Sequence, residues 1–424
     1  MHIEALELEN FRGFNKIFLE KIPKKLVIIV GINGAGKSSI LDAISCFLSY
    51  IIYCLNPEKN LINVPKLLED KDINNESLFT KLQIKTNFGY CQIHKKKGTQ
   101  WQDTTVSENS HADLKKHLVF IQKSWQENSQ YNIPLFVYYP VNRKVANISL
   151  ETPKKDYSRQ IDAYSQGRKG LVIDFSGFFQ WFRQREDIEN EFRLNQDNNY
   201  RDKQLETVRN AILQLMPNFT SFRVRRSPPP LSLTLIKNGE SLVINQLSDG
   251  EKSLIAMIGD LAKRLVIANP SLDDPLEGEG IVLIDEIELH LHPQWQREII
   301  PKLLTIFPNC QFFITTHSPQ VLSNVQKESI FILEDFKVLA ETPHSYGRDS
   351  NSILYDLFNV PNRPQHTQEI IDKMFDLMKN EDKYSLSEAK ELLRELEASL
   401  GEEDTEIIRA KTHLDFVESF NEID

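Results

Sequence analysis

The run LVIIVGINGAGKSS over residues 26–39 constrains this chain more than any other stretch. Apolar β-formers lead into glycines at Gly31, Gly34 and Gly36, then Lys37, Ser38, Ser39 and an apolar helical pattern. The spacing is G-x-x-x-x-G-K-S, a phosphate-binding loop set between strand and helix. Each residue type answers a physical demand. Glycine lets the backbone turn tightly enough for successive N–H groups to face one phosphate. The helix that follows adds the positive end of its dipole. The Lys37 side chain is suited to β- and γ-phosphates and the Ser38 hydroxyl to Mg²⁺. The expected phosphate contacts are therefore Gly31, Asn33, Gly34, Ala35, Gly36, Lys37, Ser38 and Ser39, and the expected ligand is a nucleoside triphosphate, ATP with Mg²⁺.

A chain of 424 residues holds two or three domains, or one large domain with insertions. The longest apolar stretch, residues 44–55, is too short to cross a bilayer and belongs to the helix after the loop. No N-terminal segment combines a basic start, an apolar core and a small-residue cleavage site. The four cysteines form no C-x-x-C pair, so neither a disulfide framework nor a zinc site is expected. A cytoplasmic location with no membrane partner is the expectation. The net charge of −10 is uneven: residues 381–424 carry 14 acidic and 5 basic groups, and the rest of the chain is near neutral. An acidic total therefore does not exclude nucleic acid at the body. Short basic runs at Lys95, Lys96 and Lys97 and at Arg223, Arg225 and Arg226 are expected to be solvated faces.

Along the chain, residues 3–20 alternate at both ends, predicting two strands around a turn at Arg12-Gly13. Residues 82–93 suggest a surface hairpin, residues 111–127 a helix, and PLFVYY at 134–139 a buried strand. Residues 146–172 are polar without a period and are expected to be mobile. Helical patterning then runs from 174 to 216, with Phe178, Phe179, Trp181 and Phe182 as a core cluster. LSLTLI and SLVI form a hairpin about Asn238-Gly239. The last 80 or so residues look helical, with Gly401 as a stop.

A second block completes the chemistry. The strand of residues 281–284 ends in Asp285 and Glu286. Beside a phosphate loop, Asp285 would hold Mg²⁺ and Glu286 would accept a proton from, or orient, the attacking water. Ser248, Gly250 and Glu251 stand just before an apolar helix, a pattern that serves either as an anion site or as an ordinary capping box. His317, in the cluster TTHS after another apolar strand, can touch a γ-phosphate or its attacking water.

In that order, GINGAGKS, LSDGEK, IVLIDE and TTHS resemble the ABC-type ATPases of the SMC/RecF branch over roughly residues 1–340. The resemblance implies an α/β fold: a P-loop ABC-type ATPase head with a mixed sheet and flanking helices, an inserted helical segment and a C-terminal helical extension. The expected divisions are 1–145, 146–216, 217–345 and 346–424. It also implies a head-to-tail homodimer or higher homo-oligomer, in which Ser248 and Gly250 of one chain close on the triphosphate held by Lys37 and Ser38 of the other. NFRGF at residues 10–14 resembles the branch's N-terminal motif, which would place Arg12 near the phosphates.

Lys37 and Ser248 are 211 positions apart. ABC transporter subunits resemble one another in having about half that spacing, a fold-level analogy. The insertion is too short for the long arms of a full SMC protein. FSGFFQWFRQREDIENE, the ELHLHP run at 288–293 and SYGRDS at 345–350 are similar to the Septu-type ATPases of phage defence, also found with some retrons. That resemblance implies control of a separate HNH-type nuclease subunit, with nucleic acid reached directly or through it. A RecF-like DNA-repair clamp gated by ATP is the alternative. An OLD-type protein with a fused nuclease is disfavoured, because no D-x-D cluster follows residue 345. His290 and His292 alternate onto one side of an extended segment, but zinc would need further ligands, and a dimer-contacting loop is expected there. The family's glutamine loop is not evident; Asn142-Arg143 marks the candidate region.

Overall fold

The alternation at the N-terminus and the uniformly apolar runs further on predict two kinds of strand, and the protein builds two kinds of sheet from them. The structure, a computed structural model, describes residues 1–56, 67–100, 102–103, 108–141, 159–164, 175–227, 231–340, 342–358, 360–379 and 383–421. In chain order the strands are β1 (Ile3–Phe11), β2 (Phe14–Leu19), β3 (Leu26–Gly31), β4 (Phe79–Thr86), β5 (Gly89–Lys96), β6 (Gln102–Asp103), β7 (Leu135–Tyr139), β8 (Phe219–Arg225), β9 (Ser232–Lys237), β10 (Glu240–Val243), β11 (Gly280–Ile284), β12 (Cys310–Thr315), β13 (Ile330–Glu334) and β14 (Lys337–Val338). The longer helices are α1 (Lys37–Leu55), α2 (Glu108–Glu127), α3 (Phe175–Asn195), α4 (Lys203–Leu215), α5 (Asp249–Ala268) and α6 (Pro293–Ile306), then the short α7 (Pro319–Leu322) and the C-terminal α8 (Ser350–Phe358), α9 (Gln365–Lys379), α10 (Lys383–Leu400) and α11 (Thr405–Asn421).

Two compact units emerge, Met1–Ile353 and Leu354–Asp424. In the first, the apolar strands form a six-stranded sheet of order β14-β13-β3-β12-β11-β7, parallel except for the edge strand β14. Strands β3, β11 and β12 are buried at every position, as expected when helices cover both faces. The α1 helix supplies one such cover through Ile40, Leu41, Ile44, Phe47, Leu48 and Ile51, spaced by three and four. By length and composition α1 could cross a membrane, contrary to the expectation from residues 44–55 alone, yet its apolar residues face β3, β7, β11 and β12.

The alternating strands form a five-stranded antiparallel sheet of order β2-β1-β4-β5-β6. The hairpin expected on the surface is therefore internal to a sheet: β4 pairs with β1 as well as β5, and Leu82, Ile84, Cys91 and Ile93 are buried. Alternation reveals one buried face but not which strand lies alongside. Lys95 corrects another expectation. It is buried and its amine pairs with Asp70 at 2.7 Å, whereas Lys96 and Lys97 are exposed. Most of residues 146–172 lies outside the described residues, as do Asn142 and Arg143; residues 160–164 form a 3₁₀ turn that buries Ala163 and Tyr164.

The aromatic cluster lies in the core. Phe178, Phe179, Trp181 and Phe182 are all buried, and the Phe178 ring lies so close to Gly259 of α5 that an added Cβ would sit 2.3 Å from it. Arg209 of α4 ties α3 to α4 through Glu186 at 2.8 Å and Glu189 at 3.1 Å. Strands β8–β10 make a small antiparallel sheet whose turn, Asn238-Gly239, has positive φ at both positions, the hairpin geometry that dipeptide favours. In the second unit, α9, α10 and α11 pack through Met374, Met378, Ala389, Leu396, Ile407 and Ala410, and Gly401 leaves α10 at φ 88°.

Candidate active site

Three adjacent parallel strands present the candidate groups from their C-terminal ends, the edge at which parallel sheets bind ligands. β3 delivers the phosphate loop, β12 delivers Thr315 to His317, and β11 delivers Asp285 and Glu286. The register aligns Ile284 with Ile314 and Thr315 with Ile29, so the three ends finish nearly level.

Within the loop, Gly34 and Gly36 adopt φ of 84° and 100°, conformations that a side chain would strain. Gly36 is the N-cap of α1 and offers no side-chain cap, and the first turn of α1 holds no acid. The helix N-terminus thus keeps its N–H groups and its field for an anion. The Lys37 ammonium lies inside the loop and donates to the carbonyls of Gly31 and Ile32, each at 3.0 Å. Burial lowers its pKa, with Glu286, Asp285 and Glu288 opposing that shift. A triphosphate would take the place of those two carbonyls as the ammonium's partner.

On the acidic side, the Asp285 N–H donates to the Tyr139 carbonyl at 2.8 Å and continues the β7–β11 ladder past the strand end. The Thr315 hydroxyl donates to the Asp285 carboxylate and accepts the Glu286 N–H at 2.7 Å. That one hydroxyl holds the Asp285 carboxylate and the Glu286 main chain. Glu286 sits at φ 49°, a left-handed conformation unusual for a residue with a side chain and found where function fixes the backbone. Ser38 is exposed and Asp285 buried. A hydroxyl and a carboxylate are the hard oxygen donors that Mg²⁺ takes while retaining waters, and these two residues would hold it.

His317 is fixed through its main chain, whose N–H donates to Glu288 at 2.6 Å; the Thr316 hydroxyl donates to the other oxygen of the same carboxylate at 2.8 Å. Burial, then the Lys37 charge, lowers the His317 pKa, with Glu288 and Asp285 opposing. Both causes favour the neutral imidazole, the form able to donate to phosphate oxygen and to accept from water. Glu288 and the bridging role of Thr315 were not among the residues expected to act. The ELHLHP and TTHS runs contain them, but their pairing spans about thirty residues and leaves no local pattern.

Ser248, Gly250 and Glu251 form a separate cluster. Ser248 caps α5 by accepting the Glu251 N–H at 3.3 Å, and the Glu251 carboxylate accepts the Ser248 N–H at 3.1 Å and its hydroxyl at 2.9 Å. Burial raises the Glu251 pKa, but bonds from Lys237 and Ser248 outweigh it and the net shift is downward. Gly250 packs on the chain after β11: an added Cβ would lie 2.2 Å from the His290 carbonyl. His292 caps α6 through Gln294, and His290 has φ 64°. Among the described residues no group of His, Cys, Asp and Glu is arranged to hold a metal through three side chains. Arg12 lies on the β1–β2 turn with its guanidinium bound to Asp42 of α1 and to Asp72 at 3.0 Å. It reaches the helix of the phosphate loop through Asp42.

The sequence profile of the AAA ATPase domain matches residues 1–214, half of the chain. An AAA-domain profile named for the AbiEii toxin of a type IV toxin–antitoxin system matches residues 149–323. The "Retron Vc95 probable ATPase" of Vibrio cholerae serotype O1 biovar El Tor is 32% identical over 88% of this chain and 82% of its own length. The "Retron Ec83 probable ATPase" of Escherichia coli is 28% identical over 98% of this chain and 87% of its own. The "Septu protein PtuA" of Bacillus thuringiensis is 26% identical over 76% and 72% respectively.

Proposed function

The chain belongs to the AAA ATPase-domain family, alongside the retron ATPases, and on that premise we propose that it is the ATP-hydrolysing subunit of an anti-phage defence system of the retron and Septu kind. The observation that carries the reading is the convergence of Lys37, Asp285, Glu286 and His317 on the ends of three neighbouring parallel strands.

The loop N–H groups and Lys37 bind and orient the β- and γ-phosphates. Ser38 and Asp285 hold Mg²⁺, which when bound offsets charge on the phosphate oxygens. Glu286, its main chain held by the Thr315 hydroxyl, accepts a proton from the attacking water or aligns it with the γ-phosphorus. Neutral His317 bonds the γ-phosphate on the same side. Ser248 and Gly250 of a second copy complete the site head to tail. In support, the α1 N-terminus carries no side-chain cap or first-turn acid, the condition that suits a bound anion, whereas Ser248 of α5 is bonded to Glu251 of its own chain. Hydrolysis sets how long the dimer stays closed, and the closed state controls a separate HNH-type nuclease in the cytoplasm. The acidic helical unit from Leu354 to Asp424 suits a basic docking partner.

Glu286→Gln tests the central step. The variant binds MgATP with affinity near that of the wild type and turns over at least about 10²-fold more slowly, as loss of a general base requires. Wild-type turnover by that variant in a phosphate-release assay rejects the assignment of Glu286.

A further inference from the structure

The order of strands says which way a bound nucleotide must run. The groups that act on the γ-phosphate come from β12 and β11, both on one side of β3. A triphosphate lying across the loop with its γ end there directs its nucleoside to the other side, toward β13 and β14. Leu333 of β13 pairs with Gly31, so the β13–β14 turn projects beyond the sheet at the same end as the phosphate loop.

That turn carries one unusual residue. Glu334 pairs with Lys337, leaving a two-residue turn, Asp335-Phe336, with φ of 46° and 59°. Positive φ at both central positions is the geometry that favours Asn-Gly, and a bulky side chain at the second position is costly. The chain nevertheless keeps a large aromatic there. One face of Phe336 covers Gly13, where an added Cβ would lie 2.1 Å from the ring, while 38% of the residue stays exposed. Its edge meets Phe14 at 5.4 Å between ring centroids and 88° between planes. Phe14 in turn lies against Gly36, whose added Cβ would meet its ring at 2.4 Å. Phe336 is thus one aromatic ring away from the phosphate cradle, on the nucleoside side, packed against Gly13 and Phe14 and partly exposed.

We propose that Phe336 is the platform on which the nucleotide base stacks. The proposal rests on residues 31–39 being the ATP site. Backbone strain at an exposed aromatic is what a ligand clamp retains and what packing alone would not select. Stacking is tolerant of base identity, because every base has a π-face, so ATP and GTP use the platform alike.

Inorganic tripolyphosphate separates this role from support of the loop, because it has the phosphates and no base. The full-length chain and its Phe336→Ala, Phe336→Gly and Phe336→Trp variants are titrated with ATP and with tripolyphosphate, each in Mg²⁺. The Ala and Gly variants bind ATP about 10-fold or more weakly, as loss of one stacked base predicts, and bind tripolyphosphate as the wild type does. The Trp variant regains ATP affinity, and its indole emission is quenched by ATP and not by tripolyphosphate. Equal weakening of both ligands assigns the hairpin to loop support and overturns the proposal. So does unchanged ATP affinity in the Ala and Gly variants. A wild-type chain that binds neither ligand overturns the ATP-site reading itself, a result distinct from either.

Discussion

Two helices of this protein begin with small polar sequence and a glycine, and they begin in opposite ways. α1 starts at Gly36 with φ 100°, no side-chain cap and no acid in its first turn. α5 starts at Ser248 with a complete capping box, with Asp249 and Glu251 in its first turn. An uncapped helix N-terminus leaves donors and a positive field for a phosphate, and first-turn acids cancel that field. The first has the features of an anion site before any ligand arrives. In the second, the Ser248 hydroxyl and N–H are already bonded to Glu251. That difference suits the head-to-tail site proposed above, in which α1 would bind the nucleotide and α5 of a second chain would meet the γ-phosphate.

The contrast can be broken at either helix. Gly36→Ala gives the largest effect. It forces a side chain into left-handed backbone and onto the Phe14 ring, 2.4 Å away, so titration calorimetry finds ATP affinity lost by about two orders of magnitude or more. Ser248→Ala gives a smaller and different one. It removes the α5 cap, lowering stability by about 1 kcal/mol in denaturant titration, and leaves ATP affinity of the isolated chain unchanged while turnover falls. A Ser248 variant that loses ATP affinity as severely as Gly36→Ala would put both half-sites in one chain.

The smallest effect sharpens the comparison through pH. Because burial and Lys37 depress the His317 pKa from 6.5, the folded state binds fewer protons there than the unfolded state. The associated stability is full above 6.5 and is lost as pH falls through the lower folded value. The same shift places the His317 contribution to the acid limb of kcat/KM, which reports free-enzyme ionisations, below pH 6.5, and His317→Gln removes that contribution. A limb at or above 6.5 that persists in the variant would assign it to another group.

The parts of the site that were legible in the sequence are those encoded within a few residues. The phosphate loop announces itself because glycines at fixed offsets are the only way to build it, and Asp285 and Glu286 because they end an uninterrupted apolar run. The buried strands β3, β7, β11 and β12 were readable for the same reason. What was not legible depends on pairing across the sheet. From a neighbouring strand Thr315 holds the Asp285 carboxylate and the Glu286 main chain, Glu288 holds the Thr316 hydroxyl and the His317 main chain, and Asp42 and Asp72 engage Arg12. Each contact joins residues about thirty or more positions apart, where hydrophobic period carries no information. The Ser248 pattern fits both a cap and an anion site; the capping geometry is in place within the chain, and the anion role is part of the proposal.

The claim that the two half-sites come from different chains is tested most directly by mixing two dead proteins. Lys37→Ala lacks the phosphate half and Ser248→Arg lacks the other, so neither turns over ATP alone. Mixed in equal amounts and allowed to exchange, they recover up to about a quarter of wild-type turnover, the share of intact composite sites in randomly assorted dimers. A mixture that stays as inactive as its components contradicts the account.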